Sequence, residues 1–279
     1  MTHRRTHQTK TVHSLHDATL SLIDGAIETL SSRHDDAAVH AARKAAKRIR
    51  AALRLMRGCL GAAAYHRENR RVRDAAKPLA AVRDAFMLRR ILRKMPSRSS
   101  ALEGGLKLEY RRERQAFSGQ GLQVALVQLR ATRQHLVELR PMAPEAASAV
   151  EGVGNTYRAG RKALVKAKSL DDGALHEWCK QAKYLLNELE ILRAVFGVDL
   201  RKLRRRADRL AVILGDDHDL SVLSVKLRRY DVTAPRLAKH VEKLRRRLHR
   251  RAEKQGKKLY RLPAKAIKAT IAAHFLKPR

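Results

Sequence analysis

Residues His40–Leu60 have the sequence HAARKAAKRIRAALRLMRGCL, which gives a helix two very different faces. Because successive residues of an α-helix turn by about 100°, one face collects Ala42, Ala45, Ala46, Ile49, Leu53, Met56 and Leu60. The opposite face collects His40, Arg43, Lys44, Lys47, Arg50 and Arg54, and the stretch contains no acidic residue. Like charges one helical turn apart repel each other. We therefore interpret the cationic face as one that a polyanion neutralises.

A second stretch with the same plan follows in the other half of the chain. His176–Phe196 has the sequence HEWCKQAKYLLNELEILRAVF, and its His176, Lys180 and Lys183 match His40, Lys44 and Lys47. A pair of Asp residues precedes each stretch, at 35–36 and 171–172, and such residues are typical helix N-caps. Further along, LAAVRDAFML (79–88) aligns with LGDDHDLSVL (214–223), which places Asp84 opposite Asp219. Landmarks at a nearly constant offset indicate an internal duplication.

The rest of the chain predicts an all-α protein. Ala, Leu and Arg are abundant and favour helices, and alternation typical of strands is absent. We expect a basic disordered arm at 1–11, a first helical bundle at 12–140 and a second at 141–279. The pattern predicts that Pro78 opens a helix in its first turn, after a helix over 65–77. It also predicts separate helices over 199–214 and 216–230, with an N-cap and local ion pairs at Asp216–Asp219.

The two His-led basic helices, together with LGDDHDL, resemble the CHAD domain family, the conserved-histidine α-helical domain. The resemblance covers roughly residues 10–276. It implies two pseudo-symmetric antiparallel four-helix bundles whose basic helices line a shared groove. It also implies binding of inorganic polyphosphate and, in a bacterium, a cytoplasmic protein associated with polyphosphate granules.

The residues that we expect to bind polyphosphate are the cations and histidines of the matching helices. They are His40, Arg43, Lys44, Lys47, Arg50, Arg54, Arg83, His176, Lys180, Lys183, Arg193 and His218. Lys offers a mobile point charge and Arg a bidentate fork, and both suit phosphate oxygens. For His40 and His176 a structural role near the helix start remains an equal alternative. We expect Asp84 and Asp219 either to orient cationic side chains or to cap helices.

The second basic helix departs from the first. Cys179 stands opposite Arg43, Leu186 opposite Arg50 and Glu190 opposite Arg54. The cationic stripe of the second half is therefore weaker, and we expect the first half to dominate binding.

The charge balance limits the possible partners. The chain has 62 Lys and Arg against 27 Asp and Glu, a net charge of +35, which favours polyanions. Nucleic acid is the main alternative ligand, although only 4% of the residues are aromatic, which leaves few stacking platforms. A scaffold for acidic proteins also remains open.

Chemistry beyond binding has little support in the sequence. No phosphate-binding loop or hydrolase motif is present, so we expect no enzyme and no cofactor. The acids at 216–219 are adjacent and diverge on a helix, so we expect no metal site there. A polyphosphate-processing enzyme, which needs clustered acids for Mg²⁺, is the remaining enzymatic alternative. Two Cys make no disulfide framework, and no apolar run is long enough to span a membrane.

Overall fold

The computed structural model describes residues 14–96, 99–139, 141, 143–167, 171–230 and 234–276, and over these ranges it is all-α, as predicted. The predicted arm at 1–11 lies outside the described residues. The helices are α1 (Leu15–Ser32), α2 (Asp36–Leu55), α3 (Arg57–Leu60), α4 (Ala62–Leu92), α5 (Ser100–Ala116), α6 (Leu122–Glu138), α7 (Glu145–Lys166), α8 (Asp172–Phe196), α9 (Arg201–Arg229), α10 (Pro235–Leu259) and α11 (Ala264–Phe275). A π-helical turn, Phe117–Gly121, joins α5 to α6.

The two helices that carry the basic stretches begin as predicted. The side chain of Asp35 accepts a hydrogen bond from the backbone N–H of Ala38 at 2.7 Å, which caps α2. Asp171 accepts the equivalent bond from Ala174 at 2.9 Å and caps α8. Each cap satisfies an N–H that the first helical turn leaves without a partner and contributes about 1 kcal/mol. The caps fix where each basic face starts.

The apolar face of α2 lies at the centre of the molecule. Ile49 and Leu53 are completely buried, and α2 packs against α1, α4, α7 and α8. Truncation of a buried Leu of this kind to Ala costs about 2–5 kcal/mol. With this face held in the core, the opposite, cationic face of α2 must point away from it.

The apolar clusters extend across the two halves of the chain. The larger cluster contains residues of α1 and α2 together with residues of α7 and α8. The smaller cluster joins the end of α4 and the start of α5 to α9 and α10. In the first half α2 packs between α1 and α4, and in the second half α8 packs between α7 and α9. The second long helix of each half therefore lies between the first and the third. The division into two four-helix bundles, with its boundaries, stays a prediction.

Pro78 does not open a helix, contrary to the sequence prediction, but lies inside the continuous α4. Proline lacks the N–H that would bond to the carbonyl of Asp74, a local cost of about 3 kcal/mol. Burial of Ala75 and Leu79 on either side keeps α4 in the core and offsets that cost. Pro78 also packs closely on the π-helical turn. A Cβ placed on Gly121 would lie only 2.8 Å from the Cβ of Pro78.

The predicted break between 214 and 216 is also wrong, because α9 runs without interruption from Arg201 to Arg229. Asp217 is buried rather than acting as an N-cap. Its carboxylate accepts a hydrogen bond from Nε of Arg245 at 3.0 Å and lies 2.8 Å from Nε2 of His249, both on α10. Pairing with a neighbouring helix, not local capping, therefore explains this acidic residue.

Candidate anion-binding site

Cations of both halves of the chain meet where α2, α4, α8 and α9 approach one another. The group that we call the basic cluster consists of His40, Arg43, Lys44 and Lys47 of α2, Arg83 of α4, His176 and Lys183 of α8, and His218 of α9. Their charges interact across helices: Lys183 acts on Lys47, and Arg83 acts on His40. The structure therefore brings together eight of the twelve predicted binding residues.

Lys47 carries the largest perturbation of any cation in the basic cluster. Its side chain is accessible to water, yet protein atoms surround the ammonium group. This partial desolvation, followed by the positive charges of Arg43 and Lys183, lowers the pKa of Lys47 from 10.5 to about 8. Asp84 opposes the shift without cancelling it. The ammonium form is thus less stable than in an isolated lysine, and a nearby negative charge would stabilise it.

Two histidines of the basic cluster lie in contact. The Nδ1 atoms of His176 and His218 are 3.3 Å apart, and their ring centroids are 4.7 Å apart. Partial burial, then His176 and Lys183, lowers the pKa of His218. Partial burial, then Arg83 and Lys47, lowers the pKa of His40. Since both shifts disfavour the imidazolium, these rings are neutral hydrogen-bonding groups at pH 7 when no anion is bound.

The two predicted orienting carboxylates occupy different environments. Arg43 donates a hydrogen bond from Nη2 to Oδ1 of Asp84 at 2.9 Å, which fixes the direction of its guanidinium. Asp219 has no hydrogen-bond partner among the described residues, and burial raises its pKa while the nearby Lys183 opposes the rise. Both residues lie inside helices, α4 and α9, so the alternative that they cap helices is wrong. Asp84 contacts a cation of the cluster, whereas the orienting role of Asp219 stays a prediction.

Four predicted binding residues lie outside the basic cluster. The guanidinium of Arg54 donates from Nε to Oε1 of the completely buried Glu188 at 2.7 Å and stacks 3.8 Å from the ring centroid of Tyr184. These three side chains join α2 to α8. The other three have separate positions: Arg50 donates to Asn69, Lys180 pairs with Glu177 on its own helix, and Arg193 is exposed in the last turn of α8.

Glu188 was not a predicted functional residue, and its environment is unusual. Burial raises its pKa to about 6, and the opposing effects of Arg54 and a hydrogen bond from Thr156 do not cancel the rise. Nothing local in the sequence marks this residue, because its partner Arg54 is distant along the chain. Arg90 was also not predicted to be a functional residue, although its positive charge acts on Arg83 of the basic cluster. It follows Arg83 by seven residues, so helical periodicity could have placed both on one face.

The described residues form neither a metal-binding group nor a membrane-spanning helix. No group of three or more His, Cys, Asp or Glu side chains there is placed to hold a metal ion. None of the helices in those ranges has the length and apolar character needed to cross a membrane.

Comparisons with known proteins agree with this architecture. A family model described as CHAD domain matches residues 17–228. Among solved structures, the chain is similar to the crystal structure of the CHAD domain from the plant Ricinus communis, with a TM-score of 0.58 and 17% sequence identity. That match covers 94% of this chain and 93% of the other, and at this identity it shows a common fold. No curated protein matches the chain.

Proposed function

Because the chain belongs to the CHAD domain family, we propose that it binds inorganic polyphosphate through the basic cluster and does not act as an enzyme on it. The observation that carries the proposal is the meeting of cations from α2, α4, α8 and α9 with few carboxylates to neutralise them. Within the described residues Lys44, Lys47 and Lys183 form no ion pair, so their charges are available to a ligand.

Polyphosphate matches the chemistry of the basic cluster. It is a linear chain of anionic oxygens, and cations one helical turn apart can follow such a chain. Lys47 adds a group whose charged form a bound anion favours, and the neutral histidines add N–H donors. Arg43, oriented by Asp84, offers its guanidinium in a defined direction. We extend the proposal to association with polyphosphate granules in the cytoplasm, which co-sedimentation with isolated granules would test.

The binding experiment uses labelled long-chain polyphosphate at several salt concentrations, with single-stranded DNA as competitor. The variant Lys44→Ala/Lys47→Ala/Lys183→Ala removes three charges of the basic cluster. We expect it to weaken binding about 10- to 100-fold. The slope of log affinity against log salt concentration should fall in magnitude by about three, because three phosphate contacts are lost.

A matched control removes the same net charge elsewhere. Lys107, Lys162 and Lys202 are exposed on α5, α7 and α9, and their triple replacement by Ala should change the affinity little. Equal losses in both triple variants would show that the net charge, and not the cluster, attracts polyphosphate. Efficient displacement by single-stranded DNA would favour nucleic acid as the ligand, and release of phosphate with Mg²⁺ present would contradict the non-enzymatic proposal.

A further inference from the structure

A cleft of about 660 Å³ lies between α4, α9 and α10, beside the basic cluster. Its volume is within the range of about 300–1,000 Å³ that is common for small-molecule sites. Half-buried or buried apolar side chains form its walls, namely Met87, Ile91, Met95, Leu220, Leu244 and Leu248. Most of them belong to the smaller apolar cluster or pack against it, so the core holds the walls of the cleft in place.

Four cations line the same cleft. They are Arg90, Lys94, Arg247 and Arg251, and all four are exposed. None of them forms an ion pair with a carboxylate among the residues that the structure describes. The cleft therefore presents unpaired positive charge beside an apolar surface, which suits an anion that also has an apolar part.

Two carboxylates of α9 complete the lining. Asp216 and Asp219 have no hydrogen-bond donor among the described residues. Surrounding protein raises the pKa of each group, and nearby cations oppose the shift: Arg251, then Lys183 and Lys94, at Asp216, and Lys183 at Asp219. Asp216 is exposed and Asp219 half-buried, so both carboxylates are open acceptors for a ligand that brings N–H or O–H donors.

We propose that this cleft binds a nucleoside phosphate. The base and sugar contact the apolar walls, the hydroxyl or amino groups donate to Asp216 and Asp219, and the phosphates contact the four cations. An alkyl phosphate fits the walls and the cations but leaves both carboxylates without a donor. Inorganic phosphates satisfy only the cations and are repelled by the carboxylates. This site lies beside the basic cluster, whose Lys183 acts on both carboxylates, but the proposal does not rest on binding of polyphosphate.

The first measurement compares adenosine triphosphate with inorganic triphosphate and decyl phosphate by calorimetry, with metal ions chelated. It uses the variant Lys44→Ala/Lys47→Ala/Lys183→Ala beside the unchanged protein, so that anions held by the basic cluster are recognised. In the unchanged protein inorganic triphosphate also binds at the basic cluster, so the comparison is decided in the variant, where we expect the nucleotide to bind about tenfold or more tightly than either probe. Equal affinities in the variant for the nucleotide and inorganic triphosphate, or for the nucleotide and decyl phosphate, would overturn the proposal.

A substitution at Asp216 separates recognition of a nucleoside from attraction of any anion. Asp216→Ala removes an acceptor and a negative charge, so it should weaken binding of the nucleotide about tenfold but strengthen binding of inorganic triphosphate. Stronger binding of both ligands would show that Asp216 only repels anions, which contradicts the proposal. Arg247→Ala/Arg251→Ala should weaken both ligands, whereas the control Lys107→Ala/Lys202→Ala should change neither.

Discussion

The pKa of Lys47 makes a quantitative prediction about binding of polyphosphate between pH 7 and pH 9. Its pKa is about 8 in the free protein. Such a group is about 90% protonated at pH 7 and about 10% protonated at pH 9. A bound polyanion favours the ammonium form and returns the pKa toward its ordinary value. Binding at pH 9 must therefore take up nearly one proton, whereas binding at pH 7 takes up almost none.

The expected size of the effect follows from these populations. If only the protonated form binds well, the affinity falls about tenfold from pH 7 to pH 9. Other titrating groups of the cluster contribute little in this window. Histidines His40 and His218, with lowered pKa values, stay neutral above pH 7, and burial raises the pKa of the Cys179 thiol above its ordinary value.

The assay is titration of labelled polyphosphate at constant ionic strength in steps from pH 7 to pH 9. Lys47→Arg keeps the charge at every pH in this range, so the affinity of this variant should be nearly constant. Lys44→Arg changes an exposed residue of the same helix in the same way and serves as the matched control. An equal fall with pH in the unchanged protein and in Lys47→Arg would refute the reasoning.

Three further predictions concern the folded state. Arg54→Ala leaves the buried carboxyl of Glu188 without its ion-pair partner, so urea unfolding should show a loss of about 3 kcal/mol; an undiminished stability would contradict the assigned role. The pKa of Glu188 is about 6, above its ordinary 4.5, so the folded state binds this proton more tightly than the unfolded state. The contribution of Glu188 to the free energy of unfolding should therefore rise by about 2 kcal/mol as the pH falls from 7.5 to 4.5. Unfolding of Glu188→Gln, which has no proton to bind, should lack that rise. A Cβ at Gly256 would lie 2.4 Å from Cζ2 of Trp178, so Gly256→Ala should cost about 1–3 kcal/mol, measured by the fluorescence of the single Trp; unfolding at the same urea concentration as the unchanged protein would show that α10 and α8 can separate freely.

The elements that the sequence predicted correctly depend on local chemistry. The caps Asp35 and Asp171 act on residues three positions away, and the amphipathic period of α2 needs no knowledge of its neighbours. The errors at Pro78 and at Asp217 have the opposite origin. Burial on both sides of Pro78, and the pairing of Asp217 with a helix 28 or more residues further on, override local signals for a break. Helix boundaries were therefore predictable only where no distant contact competes.

The same distinction holds for the basic cluster. Periodicity placed Arg43, Lys47 and Arg54 on one helical face, but it could not show that Arg54 turns toward a buried carboxylate on α8. Nor could it show that Lys47 meets Lys183 across the two halves. Sequence patterns define which side chains share a face, whereas the packing of faces decides which of them remain available to a ligand.

The separation of the two faces of α2 explains how the protein can keep a repulsive cluster of cations. Repulsion on one face disfavours the folded state, since the unfolded chain would let these charges move apart. The opposite face buries Ile49 and Leu53 completely, and burial of each such side chain contributes about 1.5–3 kcal/mol. The stabilising and repelling groups of α2 lie on one helix, so its backbone cannot move these cations apart without removing apolar side chains from the core. On the proposed function, a polyanion that binds this face relieves the repulsion, and α2 presents its cations before the ligand arrives.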